Sequence, residues 1–286
     1  MYGFLAYSMW GTFPLFFHLL RQVPSTEVLL HRVVWSFVFV LSILLIRRWQ
    51  QRLLDAVKNL RLLRGLLFSA FLVSLNWLIY IWAVAQGRVV ESSLGYFLTP
   101  LVSVFLARVF LQERLNRKQL MAIVLAALGI LWLVVRLGYL PWVSLALAIS
   151  FGLYGLVRKR LEVDTLTGLT IETGLLLPLG LGYWIYLVQQ QADHFFQAAN
   201  NYTLLLLACG AVTSVPLLLF ASAARKLSLS VIGFMMYINP TLQFLIALLV
   251  LEEPFSQDQF IGFCFIWAGL IVFTLGTIKR RNVIRG

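Results

Sequence analysis

A chain of 286 residues that is 61% apolar, 14% aromatic and only 12% charged is not a water-soluble domain, in which roughly 25% of residues carry charge. Its net charge of +12 does not point to nucleic acid either. The arginines and lysines gather in short stretches between apolar runs, which is how the cytoplasmic side of a membrane protein is built.

The apolar runs predict an all-α integral membrane protein of ten transmembrane helices. The first, residues 2–20, is interrupted by Gly11 and Pro14. It has no basic leader or small-residue cleavage site, so it reads as a retained span. A turn containing Pro24 leads to span 2, residues 28–46. The charged stretch 47–64, with Leu53, Val57 and Leu60 at helical spacing, predicts an amphipathic helix lying on the membrane surface. Spans 3, 4 and 5 follow at 65–85, 92–111 and 119–135, and a Gly138–Pro141 turn closes a first half, residues 1–137. Spans 6 to 10 fall at 142–157, 165–188, 202–223, 229–251 and 259–278, making a second half, residues 138–286. Cys209 and Cys264 sit in separate apolar runs with no pairing or metal spacing and read as small hydrophobes.

With both termini inside, the cytoplasmic segments hold eighteen Lys and Arg, and the opposite loops hold three: Arg21, Arg88 and Arg136. That asymmetry satisfies the positive-inside rule. A further pattern divides the chain. Tyr96 and Pro100 precede Glu113 in span 4, and Tyr237 and Pro240 precede Glu253 at the end of span 9, with the prolines 140 residues apart and each glutamate 13 residues after its proline. Thirteen helical residues rise roughly 20 Å against a hydrocarbon core of about 30 Å, so each proline lies within the membrane and each glutamate at its edge. Five spans per half is an odd number, so the second half enters the membrane inverted. Inverted repeats build many secondary transporters, with the solute site near the midplane.

These stretches resemble a known family. Two five-span halves with Pro…Glu at the fourth span are similar to EamA modules of the drug/metabolite transporter superfamily. Several segments resemble its RarD group of bacterial inner-membrane permeases: Ala6-Tyr-Ser-Met-Trp-Gly11 with Pro14, His31-Arg-Val-Val-Trp-Ser36, Asn76-Trp77 through Val84, Glu91 through Phe97, Ser150 through Lys159, and Gly168 through Thr173. The resemblance covers essentially the whole chain. It implies a ten-helix permease of a group linked to chloramphenicol sensitivity, with relatives that export aromatic amino acids and other small metabolites.

Candidate functional residues are polar or helix-breaking groups inside spans. A proline within a helix frees the carbonyl four residues earlier, which in lipid must face protein or a water-lined cavity. Pro14, Pro100, Pro216 and Pro240 are therefore candidate kink or gating positions. Asn76 and Tyr80 lie one turn apart beside Trp77, and Ser92, Tyr96, Thr99 and Ser103 form a polar stripe expected to face the interior. Together with Trp10, Tyr154 and Tyr237, these groups can line a cavity for a flat, partly polar solute, or they can make interhelical hydrogen bonds and interfacial anchors.

Within spans the ionisable residues are Arg32, Arg108 and Glu172. Arg108 can snorkel to the inner surface. Arg32 and Glu172 are 140 residues apart, but their depths leave roughly 14 Å of height between them. Separate partners are expected: Glu27 or Glu91 for Arg32, and Arg158 or Lys159 for Glu172. Glu172 reads either as a proton-coupling or solute-contacting group or as half of a structural ion pair. His18 and His31 lie near the outer face and read either as groups that titrate near neutral pH or, more commonly for such residues, as satisfied structural histidines. The sequence contains no His-Glu-x-x-His, Gly-x-Ser-x-Gly, phosphate-binding loop or clustered metal ligands, so no metal, no cofactor and no enzyme chemistry are expected. The partners expected are a small-molecule solute and the lipid bilayer. A membrane enzyme or lipid-handling accessory protein is the alternative class. One chain holds both orientations, so a monomer can suffice, and a dimer is compatible with it.

Overall fold

The computed structural model describes residues 1–110, 112, 116–196, 202–224 and 235–285, without the side chains of 137, 221–224 and 277–285. The described residues form helices joined by turns: α1 (Tyr2–Gly11), α2 (Phe13–Leu19), α3 (Ser25–Ile46), α4 (Gln50–Lys58), α5 (Leu60–Ala85), α6 (Val89–Phe110), α7 (Arg117–Leu137), α8 (Trp142–Arg160), α9 (Thr165–Gln189), α10 (Tyr202–Ala224), α11 (Ile238–Leu249) and α12 (Gln257–Arg285). Seven of them, α3, α5, α6, α7, α9, α10 and α12, are long and apolar enough to cross a membrane. The molecule is an all-α, multi-span membrane protein. Its outward surface supports this independently. Leu120, Met121, Val124, Leu128, Leu131 and Val135 on α7 are all exposed, at helical spacing, as befits a face that meets lipid tails.

Local sequence explains several element boundaries. The first apolar run breaks into two helices. The Thr12 N–H closes α1 on the Ser8 and Met9 carbonyls, and Pro14 stands in the first turn of α2. There its missing N–H costs nothing, so Pro14 starts a helix and does not kink one. The expected surface helix over 47–64 is shorter. It is α4, and Asn59 ends it by capping α5, its side chain accepting from the Leu62 N–H at 3.1 Å. Residues 60–64 therefore belong to the membrane helix, because the cap defines its start. Pro240 is likewise not mid-helix. The helix starts at Ile238, which puts Pro240 in the first turn, where no intrahelical bond is lost. Pro100, Pro178 and Pro216 do lie inside helices; the sequence reading did not single out Pro178. Glu113, Arg225 and Lys226 lie outside the described residues.

The helices interlock instead of forming two separate bundles. The principal contacts are α7 on α12, α6 on α8, α3 on α9, α3 on α10, α5 on α8 and α1 on α10, followed by α11 on α6 and on α1. Each of these joins a helix from residues 1–137 to one from 138–286. The closest approach requires a glycine. A Cβ on Gly210 would collide with the Trp35 backbone, so α3 and α10 touch main chain to main chain. Glu253 ties the two parts of the sequence together again. Its two carboxylate oxygens accept the Val89 and Val90 N–H groups at 2.7 and 2.8 Å, capping α6 at its positive end.

Candidate functional site

Arg32 leaves α3 in its second turn and turns into the bundle. It is 4% exposed. Its guanidinium carbon lies 4.1 Å from the centre of the Trp77 ring on α5, 5.3 Å from Phe17 and 5.7 Å from Phe13 on α2. A guanidinium suits this position because its flat face stacks on aromatic rings, which a lysine ammonium does less well. Among the described residues no carboxylate forms a salt bridge with Arg32, and its Nε and Nη1 have no hydrogen-bond partner. The expected pairing with Glu27 or Glu91 is not made. Glu27 is engaged by His194, and Glu91 by Arg88 at 2.6 Å.

Around Arg32 stand the polar groups of α5 and α6. The Asn76 amide donates to the Leu147 carbonyl and to Ser150 Oγ on α8, each at 3.0 Å, and its carbonyl accepts from the Tyr96 hydroxyl at 3.4 Å. Tyr80 is buried, its ring 5.8 Å from Tyr96 and 5.9 Å from Phe17, and its hydroxyl has no partner among the described residues. Tyr80, Tyr96 and Cys209 on α10 are all within electrostatic reach of Arg32. Of the polar stripe on α6, Ser92 and Thr99 are buried and bond their own helix backbone, whereas Ser103 is exposed.

A second cluster surrounds Glu172 on α9, which is 1% exposed. Ser69 donates to its Oε1 at 2.5 Å, the Tyr154 hydroxyl to its Oε2 at 3.5 Å, and Arg158 Nη1 lies 3.6 Å from Oε1. Gly168, one turn earlier on α9, leaves the space that the Arg158 guanidinium fills; a Cβ there would overlap it. Phe151 links the two clusters, its ring 6.3 Å from Tyr96 and 5.8 Å from Tyr154. The fold thus brings Arg32, Asn76, Tyr80 and Tyr96 together, and Tyr154, Arg158 and Glu172 together. Trp10 and Tyr237 belong to neither group. Trp10 packs on Tyr7 and Phe220, and its carbonyl accepts from the Gln243 amide of α11 at 3.4 Å. Tyr237 lines an apolar groove of about 590 Å³ between α6, α11 and α12, with Phe97, Phe244 and Trp267.

A third group was not legible in the sequence, because half of it comes from the loop after α9. His194 donates its backbone N–H to Glu27 Oε1, and its Nδ1 lies 2.7 Å from Oε2. Asp193 accepts from the Trp184 indole and from the Phe196 N–H, and His31 Nδ1 accepts from the Trp35 indole. Glu27, His31 and Asp193 bring metal-ligand atoms within 4.8 Å of one another, a gathering the sequence reading did not foresee. Hydrogen bonds engage those carboxylates and His31 Nδ1, His31 Nε2 has no partner among the described residues, and the Glu27–His194 bonds tie the loop to α3. In the loop before α12, burial holds the Glu253 carboxyl above its ordinary value despite the two backbone N–H groups that favour its charge.

Apolar helices facing outward around buried ionisable groups define a membrane protein built to carry polar chemistry within the bilayer. The EamA-like transporter family model matches residues 1–135 and again 140–275, and the chain belongs to that family, as a RarD-like transporter of the drug/metabolite transporter superfamily. It is 43% identical over 286 residues to the uncharacterized transporter YojE of Bacillus subtilis, covering 99% of this chain and 95% of that one. It is 42% identical over 277 residues to protein RarD of Escherichia coli, covering 97% and 94%. It is 35% identical over 286 residues to the chloramphenicol-sensitive protein RarD of Pseudomonas aeruginosa, covering 96% and 93%. A crystal structure with 18% identity superposes with a TM-score of 0.62 over 98% of this chain and 96% of the other, a likeness of fold.

Proposed function

We propose that the chain is a secondary transporter of the bacterial inner membrane that moves a small organic solute by alternating access between two inverted five-span halves, residues 1–137 and 138–286. In this reading α1 with α2 is span 1, and α3, α5, α6, α7, α8, α9, α10, α11 and α12 are spans 2 to 10, with both termini cytoplasmic. The observation that carries it is an exchange symmetry. Swapping each span for its counterpart in the other half turns the α6–α8 contact into α11–α1, α5–α8 into α10–α1, and α3–α10 into α9–α5, all of which occur. The α3–α9 and α7–α12 contacts map onto themselves. Two halves related in this way have two equivalent arrangements, open to either side, which is the basis of alternating access.

Arg32 and Glu172 support the same reading. Each lies seven residues beyond the first residue of its helix, Ser25 or Thr165, or roughly 10 Å along it. In inverted halves they are buried charges at matching depths from opposite faces. The solute occupies the Arg32 cluster with Asn76, Tyr80 and Tyr96, while Glu172 with Ser69, Tyr154 and Arg158 is the coupling site, taking up and releasing a proton. Pro100 and Pro216, inside α6 and α10, are the hinge positions. No cofactor and no catalytic step is required, and one chain is a sufficient unit. The test is solute flux into proteoliposomes containing this chain alone, across a panel of small metabolites and amphenicols. Saturable flux is expected. Folded protein that moves nothing across the panel would overturn the reading.

A further inference from the structure

Among the described residues Arg32 is a buried cation without an anion. A guanidinium taken out of water and left unpaired is strongly unfavourable, and intramembrane charges persist where function requires them. Of the eleven acidic residues in the chain, all but Glu113 are described, and the buried ones have other partners. Glu27 is held by His194, Glu91 by Arg88, Glu172 by Ser69 and Arg158, and Asp193 by Trp184 and the Phe196 N–H. The guanidinium carbon lies 4.1 Å from the centre of the Trp77 ring. A ring face attracts the cation but carries no counter-charge, so it does not take the place of an anion. With Arg32 Nε and Nη1 and the Tyr80 hydroxyl, three buried donors in one cluster lack acceptors among the described residues.

We propose that the solute is a net organic anion whose carboxylate binds the Arg32 guanidinium, with Tyr80 as a second donor and Trp77, Phe13 and Phe17 packing its apolar part. This rests on the reading of the Arg32 cluster as the solute site. A carboxylate fits because it is an acceptor on both oxygens, with about four lone-pair sites, and charge-assisted bonds to Arg are the strong ones. A zwitterion fits less well. Its ammonium would need a carboxylate in the cluster, and Glu172, the buried acid linked to it through Phe151 and Tyr154, is already engaged by Arg158. A cationic solute would meet the like charge of Arg32.

The test is thermal unfolding and equilibrium binding with the purified full-length protein in detergent. The probes are phenylacetate, indole-3-acetate and cinnamate, each beside its own amide, with phenethylamine and sodium chloride as controls. The carboxylates are expected to stabilise the wild-type protein, and their amides and the amine are not. Arg32→Gln should weaken carboxylate binding by roughly tenfold to a hundredfold, the worth of a lost charge-assisted bond, and Arg32→Lys by less. Without ligand, Arg32→Gln should melt no lower than wild type, because it removes an uncompensated charge. Equal stabilisation by acids and amides, or an unchanged response in Arg32→Gln, would overturn the proposal. So would a marked ligand-free destabilisation of both Arg32 variants, which would make the residue structural. Equal stabilisation by chloride would assign the site to an inorganic anion and overturn it too. Binding is read here without flux. Carboxylate binding in a protein that transports nothing keeps this inference and removes the transport reading, and flux without carboxylate preference does the reverse.

Discussion

Replacing Glu172 with Gln tests the buried pair most sharply, because it changes charge with little change of shape. Gln keeps a carbonyl acceptor for Ser69 but removes the negative charge 3.6 Å from Arg158 Nη1. At that separation the Coulomb attraction is about 4–5 kcal/mol for an effective dielectric near 20. Arg158 lies in the last turn of α8 and its side chain is 16% exposed, so it can recover part of that by turning toward water. A net loss of about 1–3 kcal/mol follows, below the ~3–5 kcal/mol for a fully trapped partner. The measurement is a double-mutant cycle of Glu172→Gln with Arg158→Met, read by reversible unfolding in detergent micelles. A coupling energy of about 1–3 kcal/mol is expected. Gly168→Ala provides a second route, since its Cβ displaces the guanidinium from its seat; it should destabilise wild type more than Arg158→Met. Single effects that add to within ~0.5 kcal/mol, with Gly168→Ala equally costly in both backgrounds, would refute the pairing. In proteoliposomes Glu172→Gln should also abolish the pH dependence of flux.

Glu253→Ala leaves the Val89 and Val90 N–H groups uncapped and should cost about 1–2 kcal/mol, with Glu253→Gln recovering part of it in the same unfolding assay. Burial raises the Glu253 carboxyl above 4.5 in the folded state, so the native protein holds that proton more tightly than the unfolded chain. Its contribution is complete below pH 4.5 and is lost as pH rises through the folded value. Glu253→Gln should remove that slope from a stability–pH curve. Gly210→Ala meets the Trp35 main chain, which cannot move aside as a side chain would, and should lower stability by about 1–3 kcal/mol through separation of α3 and α10. Asn76→Leu breaks the bonds from α5 to α8 and leaves the Tyr96 hydroxyl without its acceptor, for about 1–2 kcal/mol, measured by the shift in thermal midpoint.

Much of the fold was legible because bilayer-spanning helices announce themselves by length and apolarity. Span existence followed from runs such as 28–46 and 165–188, whereas the start of α5 lies at Leu60 and not at 65, because the Asn59 cap that sets it falls inside the charged stretch. The Glu172–Arg158 pair was readable, since both residues sit near one membrane face and opposite charges in lipid seek each other. The Arg32 environment was not. Its depth suggested a carboxylate partner, but both nearby acids are engaged by other groups. Glu27 is taken by a loop 167 residues away in sequence, and Glu91 by Arg88, three residues before it. Stacking on Trp77 has no sequence signature beyond the presence of an aromatic residue. The two prolines of the repeated Tyr…Pro…Glu stretch looked equivalent, yet Pro100 lies inside a helix and Pro240 in the first turn of one, because the described helix around the second begins only at Ile238.

Alternating access through one central site is the core of this account, and counterflow in proteoliposomes tests it most directly. Liposomes containing the wild-type chain are preloaded with an unlabelled solute, an aromatic carboxylate first and then each metabolite and amphenicol of the flux panel, and uptake of the labelled compound is followed from outside. A carrier that exposes its site to one side at a time should show saturable uptake accelerated by the internal solute, with Arg32→Gln needing roughly tenfold to a hundredfold more solute for either. Uptake that rises linearly with concentration and ignores the internal solute would indicate an open pathway and contradict the account, as would uptake no greater than in protein-free liposomes.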